Sequence, residues 1–156
     1  MIDSFEGKYA FLSNFYPSPI PVQFDEDIII DAPTAEHLFQ YMKTCSDEEG
    51  LAILRADTPG QAKRLGRKCH LRHDWEEIKD EVMYRILKYK FEIPELREKL
   101  LATGDEELVE GNTWHDAYWG ACKCVACSST RPNLNKLGKL LMKVRDEICS
   151  DMSKEI

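Results

Sequence analysis

The clearest periodicity lies in the second half of the chain. Trp75, Ile78, Val82, Ile86 and Tyr89 recur at helical spacing and predict a long helix to about 91, opened by Asp74 with Glu77 in a capping-box relation. Leu134, Leu137, Leu141, Val144 and Ile148 predict a last helix over 133–149 with one buried side. Between them, Pro94 opens a shorter helix that stops before Gly104, and Leu108-Val109 reads as a short strand. Ahead of them, Thr34 caps a helix over 35–45, a second helix covers 47–56, and Thr58-Pro59 starts a third over 59–68. The front of the chain alternates differently. Residues 8–15, KYAFLSNF, predict a first strand. Phe24 and Ile28–Ile30 flank the polar turn Asp25-Glu26-Asp27 and predict a hairpin, while Pro17, Pro19 and Pro21 keep the intervening loop extended. The sum is an α+β chain, predominantly α-helical, with a small N-terminal β hairpin. It is expected to be a single domain over residues 1–156.

Composition narrows the function. No apolar run approaches the roughly 18–20 residues of a membrane span, and MIDSFEGKYAF lacks the pattern of a secretory signal, so a cytoplasmic protein is expected. The net charge of -7 argues against a protein that grips duplex DNA by its average field. A local basic stretch runs against that average: Lys63-Arg64-Leu65-Gly66-Arg67-Lys68, with His70, Arg72 and His73 beyond it. It reads equally as a solvated helix end or as a phosphate contact. The six cysteines are expected as thiols. Cys122-x-Cys124-x-x-Cys127 has a spacing that suits zinc, with His115 or Cys69 as a distant fourth ligand. A structural zinc site usually shows two paired motifs and only one is visible, so the expectation is no metal and no cofactor.

Three segments carry candidate chemistry. In Pro33–Lys43, the residues Glu36, Gln40 and Lys43 share one narrow polar stripe at about 100° per residue, opposite Leu38, Met42 and Cys45. Glu36 sits in the first turn, where the helix dipole favours a carboxylate able to stabilise an oxocarbenium-like centre. Lys43, if desolvated, becomes an amine able to attack an aldehyde. The same spacing also describes an ordinary solvated face. In Trp114–Gly120, aromatics surround His115 and Asp116 outside any periodic element. This is either a core plug or a stacking surface for a base or ribose, with Gly120 allowing close backbone approach. In Phe11–Phe15, Ser13 and Asn14 interrupt an aromatic run, and Asn is suited to a base edge or a phosphate as well as to a strand end.

Taken in order, FLSNF, PTAEHLFQYMK, AKRLGR at 62–67, the Trp75 and Lys79 pair in DWEEIK, ATG at 102–104, Asp116-x-x-Trp119-Gly120 and NKLGKLLMKVR at 135–145 resemble the NADAR family over nearly the whole chain. The resemblance implies a compact, mainly helical fold of the YbiA-like type and an association with NAD, ADP-ribose and related nucleotides. One branch splits the N-glycosidic bond of early riboflavin-pathway intermediates; others remove ADP-ribose from guanine in nucleic acid. It implies Glu36, Lys43 and Asp116 as catalytic residues. Ser13, Asn14, Phe15, His37, Gln40, Lys63, Arg67, Tyr118, Trp119 and Gly120 are then substrate contacts. The chain departs from the family at ACKCVACSSTRPNL, where YbiA-like members carry a glycine-rich loop.

The expected activity is therefore hydrolysis of a ribosyl–base N-glycosidic bond. The leading expected substrate is ADP-ribosylated guanine, in DNA, RNA or a nucleoside; the alternative is a phosphorylated ribosylamino-pyrimidine. A non-catalytic ADP-ribose or NAD binding module is the rival of another class. It would need neither Glu36 nor Lys43.

Overall fold

The computed structural model describes the backbone of residues 1–130 and 132–154 and their side chains except those of 128–130. Arg131, within the departure noted above, and the last two residues of the expected domain lie outside the described residues. The chain is α+β and mainly helical, as its pattern predicts. It divides into two compact units, residues 14–90 and residues 1–13 with 91–156.

The first unit opens with the hairpin β1 (Pro17–Asp25) and β2 (Ile28–Thr34), antiparallel with Val22 opposite Ile30 and Gln23 opposite Ile29. The expected loop of prolines is part of this ladder. Pro17, Pro19 and Pro21 occupy its exposed positions and alternate with buried Ser18 and Ile20. A strand with one open edge tolerates residues that cannot donate.

Helices α1 (Ala35–Tyr41), α2 (Asp47–Leu54) and α3 (Pro59–Lys68) follow, each capped by a side-chain oxygen. Thr34, Ser46 and Thr58 accept from the N–H groups of His37, Glu49 and Gln61, supplying partners the first helical turn otherwise lacks. Helix α1 stops at Tyr41, short of the expected 45, so Lys43 lies in the turn beyond it. Ile53, Ala56 and Ala62 form a small core beneath, with Tyr41 and Leu65 against it.

Helix α4 (Trp75–Lys90) matches the periodicity, with two corrections. Its buried face is Trp75, Val82, Met83, Ile86, Leu87 and Lys90, whereas Tyr89 is exposed. The stripe therefore drifts by one residue at its end. The capping box is also absent, because the Asp74 carboxylate takes Nε and Nη2 of Arg72 instead, at 2.7 and 3.1 Å.

In the second unit, the expected strand over 8–15 is replaced by a tight 3-10 helix, Gly7–Leu12. Its apolar residues serve packing rather than alternation: Phe11 meets Phe91 edge-on with centroids 6.5 Å apart. Helix α5 (Pro94–Ala102) ends as expected just before Gly104, whose φ of 62° suits the left-handed conformation that closes helices. Leu108 bridges Ile2, close to the expected short strand. A minimal parallel pair, β3 (Gly111–Asn112) and β4 (Ala121–Cys122), then brackets the 113–120 loop. The short helix α6 (Val125–Thr130) had no periodic signal. Helix α7 (Lys136–Lys154) starts and ends later than expected. Leu134 therefore lies ahead of it, exposed, while Leu137, Leu141 and Val144 are buried as predicted.

Candidate functional site

The polar stripe of α1 is not a solvated face. Glu36 and Gln40 are 7% and 2% exposed. Nothing in their spacing foretold this burial; it follows from what α1 packs against. Gln40 Nε2 donates to Glu36 Oε1 at 2.7 Å, so the carboxylate is held one turn below its partner. The backbone N–H of Glu36 donates to Asn14 O at 3.0 Å, which ties the start of α1 to the residue preceding the hairpin. Asn14 is itself buried. Its Nδ2 reaches Met83 Sδ at 3.3 Å, and its Oδ1, like Gln40 Oε1, has no hydrogen-bond partner among the described residues. Two buried acceptors without donors are costly to leave unmet.

Helix α3 presses on this stripe through Gly66. A Cβ there would run into the Gln40 amide, with Cδ at 2.8 Å. In the sequence Gly66 is only a member of the basic stretch and of AKRLGR; its role, to let α1 and α3 close, is visible only in the fold. Lys63 and Arg67 lie one turn apart on α3, Lys63 half-buried and Arg67 exposed.

Lys43 is half-buried, with its ammonium 5.7 Å from the Phe39 ring centroid. Burial pushes its pKa below the ordinary lysine value. Lys63 and Arg67 push the same way by repulsion, while Glu36 and Cys69 oppose them. The net direction favours a neutral amine.

His37 is placed differently from its neighbours. Its Nδ1 pairs with Thr34 Oγ1 at 2.8 Å and its Nε2 with Ala56 O at 2.9 Å, and it is 1% exposed. Both ring nitrogens are therefore engaged within the protein. The residue braces α1 against the end of α2 instead of presenting a nitrogen to substrate. Phe15 is exposed and presents an aromatic face, whereas Ser13 is half-buried in the other unit. The α1 carboxylate thus comes together with Asn14, Gln40, Lys43, Lys63 and Arg67 in the unit of residues 14–90. A cavity of about 420 Å³ in the same unit lies on the Leu38 and Met42 side of α1, among Ile20, Val82 and Ile86. It faces away from the carboxylate and is apolar.

The Asp116 loop is built in the other unit. Asp116 Oδ1 accepts from the N–H groups of Tyr118 and Trp119 at 3.1 and 2.9 Å. Asn112 brackets the same residue, its Nδ2 donating to Asp116 O and its Oδ1 accepting from Asp116 N. The loop is then hung on the start of α7: Leu134, Asn135, Lys136 and Leu137 donate their N–H groups to the carbonyls of Ala117, Gly120, Tyr118 and Trp119. Lys136 and Leu137 open α7, where no helical carbonyl reaches their N–H groups, so these bonds satisfy both sides. A Cβ at Gly120 would strike the Glu110 carbonyl, which explains the glycine. Tyr118 and Trp119 stack edge to face at 4.8 Å, and Lys136 lies over Tyr118 and donates to its hydroxyl at 3.2 Å. Asn112 belongs to none of the motifs and Lys136 only to the NKLGKLLMKVR segment read for its apolar stripe, so neither is singled out in the sequence; only the fold brings them to the loop. Among the described residues no helix is long and apolar enough to cross a membrane.

The family described as the NADAR domain matches residues 3–149, spanning both units. The chain is 38% identical over 148 residues to N-glycosidase YbiA of Escherichia coli (strain K12), covering 93% of this chain and 85% of that protein. It is 38% identical over 146 residues to a riboflavin biosynthesis protein of Vibrio vulnificus, covering 92% of this chain but 36% of the longer relative. The NMR structure of Escherichia coli YbiA superposes with a TM-score of 0.78 over 97% of this chain and 87% of that one, at 35% identity.

Proposed function

The chain belongs to the NADAR family, and from that premise we propose that it is an N-glycosidase that hydrolyses the bond between a ribosyl C1′ and a base nitrogen. The observation that carries the reading is the buried Glu36–Gln40 pair beside a lysine whose pKa is lowered.

In this proposal the C1′–N bond breaks with its electron pair passing to the base nitrogen, which takes up a proton. Glu36 lies beneath the positive charge that develops on C1′ and O4′. Gln40 holds the carboxylate at the required angle. Lys43 Nζ forms a bond to C1′, the ring opens with a proton to O4′, and the resulting imine is hydrolysed by water, which expels the lysine. The net reaction consumes one water and releases base and sugar. Asp116 and Trp119 fall on family motifs; in the proposal Asp116 manages the proton of the sugar ring or of water, and Trp119 offers a stacking face.

The leading substrate is ADP-ribosylated guanine. Lys63 and Arg67 supply two cations in addition to the reacting lysine, a number that suits a diphosphate. The second reading, a phosphorylated ribosylamino-pyrimidine, is favoured by the riboflavin name of the Vibrio relative. An oligonucleotide carrying one ADP-ribosylated guanine, incubated with the protein and weighed by mass spectrometry, separates the two. Loss of the ADP-ribosyl mass with free ADP-ribose supports the first. An unchanged oligonucleotide together with base release from the pyrimidine supports the second. Tight ADP-ribose binding with neither turnover returns the protein to a binding module.

A further inference from the structure

The departure from the glycine-rich family loop has a chemistry of its own. His115, Cys122, Cys124 and Cys127 bring their ligand atoms within 4.8 Å of one another. His115 Nδ1 lies 3.2 Å from Cys127 Sγ and 3.4 Å from Cys124 Sγ, and Cys122 Sγ lies 3.3 Å from Cys124 Sγ. Around a tetrahedral zinc ion, with Zn–S near ~2.3 Å and Zn–N near ~2.0 Å, ligand atoms stand ~3.5–3.8 Å apart. Three of the distances, at 3.2, 3.3 and 3.4 Å, are already near those edges, and no pair is more than 4.8 Å apart.

Bonds outside the cluster fix the strand that carries its first cysteine. Strand β4 presents Cys122, whose N–H donates to Asn133 Oδ1 at 3.0 Å, and Lys123 N donates to Asn112 O at 2.7 Å. Cys124 lies in the turn that follows, and Cys127 in the first turn of α6. His115 has a φ of 72°, unusual for a residue with a side chain.

All six cysteines of the chain are thiols. A disulfide would use two of the three gathered here and leave the third and the histidine over; a metal uses all four. Three thiolates and an imidazole in a tetrahedron are a zinc donor set. With four protein ligands there is no open position, so the ion would be structural and not a Lewis acid. The sequence reading set metal aside because it saw a single motif. The fold gathers His115, one of the two residues offered as a fourth ligand, with the three cysteines.

We propose that His115, Cys122, Cys124 and Cys127 bind one zinc ion as a closed structural site that fixes the loop bearing Asp116 and Trp119. The ion clamps residue 115 to residues 122–127, so the 116–120 segment is held at both ends. This site does not depend on the proposed glycosidase reaction.

The test is metal content. The full chain is purified under reducing conditions without metal-affinity chromatography and measured by inductively coupled plasma mass spectrometry. About one zinc per chain is expected, falling to near zero in Cys124→Ser and His115→Ala and unchanged in Cys149→Ser, which alters an exposed cysteine elsewhere. A folded, metal-free wild-type protein overturns the proposal, as does zinc that persists in Cys124→Ser. Should those variants fail to fold, the wild-type protein is stripped and titrated with Co²⁺. Intense visible absorption of tetrahedral cobalt with thiolate charge-transfer bands is expected. A spectrum without them overturns the site.

Discussion

Gln40 Nε2 donates to Glu36 Oε1 at 2.7 Å from one turn further along α1, and the same glutamine is wedged against Gly66 of α3. A glycine with no role in chemistry therefore sets the position of the candidate catalytic carboxylate. Gly66→Ala is expected to displace the Gln40 amide, which at 2% exposure has little room to move. Turnover at saturating substrate should fall roughly 10- to 100-fold, the scale of an ångström-sized misplacement. A Gly66→Ala protein with full turnover would show that the amide does not orient Glu36.

Lys43 makes two linked predictions about pH. Because burial lowers its pKa, the neutral amine appears below the ordinary lysine value, so turnover should rise with pH along a limb displaced downward from it. Lys43→Arg, always protonated, should abolish that limb, and borohydride added during turnover should trap a ribosylated wild-type chain. No mass increase would count against the imine.

The same shift bears on stability. Between the folded and unfolded pKa values the unfolded chain binds the proton more tightly, so stability rises with pH across that window. Below it, the buried ammonium is a cost. Lys43→Met should therefore melt higher than wild type at neutral pH, by an amount that shrinks toward high pH, while losing activity. A lower melting temperature at neutral pH would mean the charge is well accommodated.

His37 is predicted to be a brace. His37→Ala leaves Ala56 O in the core without its imidazole donor and removes the imidazole partner of Thr34 Oγ1, which keeps the residue-37 backbone N–H; the loss should cost about 1–3 kcal/mol and lower Tm. The Michaelis constant should change little at temperatures where the variant is folded. A large rise in KM with an unchanged Tm would restore His37 as a substrate contact.

Asp116 separates loop geometry from charge. Asp116→Asn keeps an oxygen to accept from Tyr118 and Trp119 N–H, so the loop should stand while the charge is lost. Asp116→Ala loses both. If the carboxylate carries the proton, Asn and Ala should be comparably inactive. If Asp116 only shapes the loop, Asn should retain activity.

The sequence disclosed most where local chemistry decides. Thr34 caps a helix, Thr58-Pro59 starts one, and Pro94 and Gly104 bracket another, in the sequence as in the structure. It failed where packing decides. KYAFLSNF alternates enough to resemble a strand, yet Phe11 and Leu12 are buried from a 3-10 helix. Tyr89 fits the helical period, but the buried position falls on Lys90. At the site, the Glu36–Gln40 stripe was legible as a stripe. Its burial was not, because that depends on a glycine of another helix. The four-ligand cluster was legible as a set of candidates, with His115 or Cys69 as the fourth member; that His115 is the one gathered follows only from the β3–β4 pairing and the turn between.

The central claim is that Glu36 drives cleavage of a ribosyl–base bond. Its most direct test is the rate of free base release by wild type and Glu36→Gln on whichever of the two substrates the wild type accepts, with circular dichroism to verify the fold. The account predicts that the wild type releases base and that Glu36→Gln, still folded, is slower by about 10²-fold or more. A folded Glu36→Gln protein that releases base at the wild-type rate would contradict it.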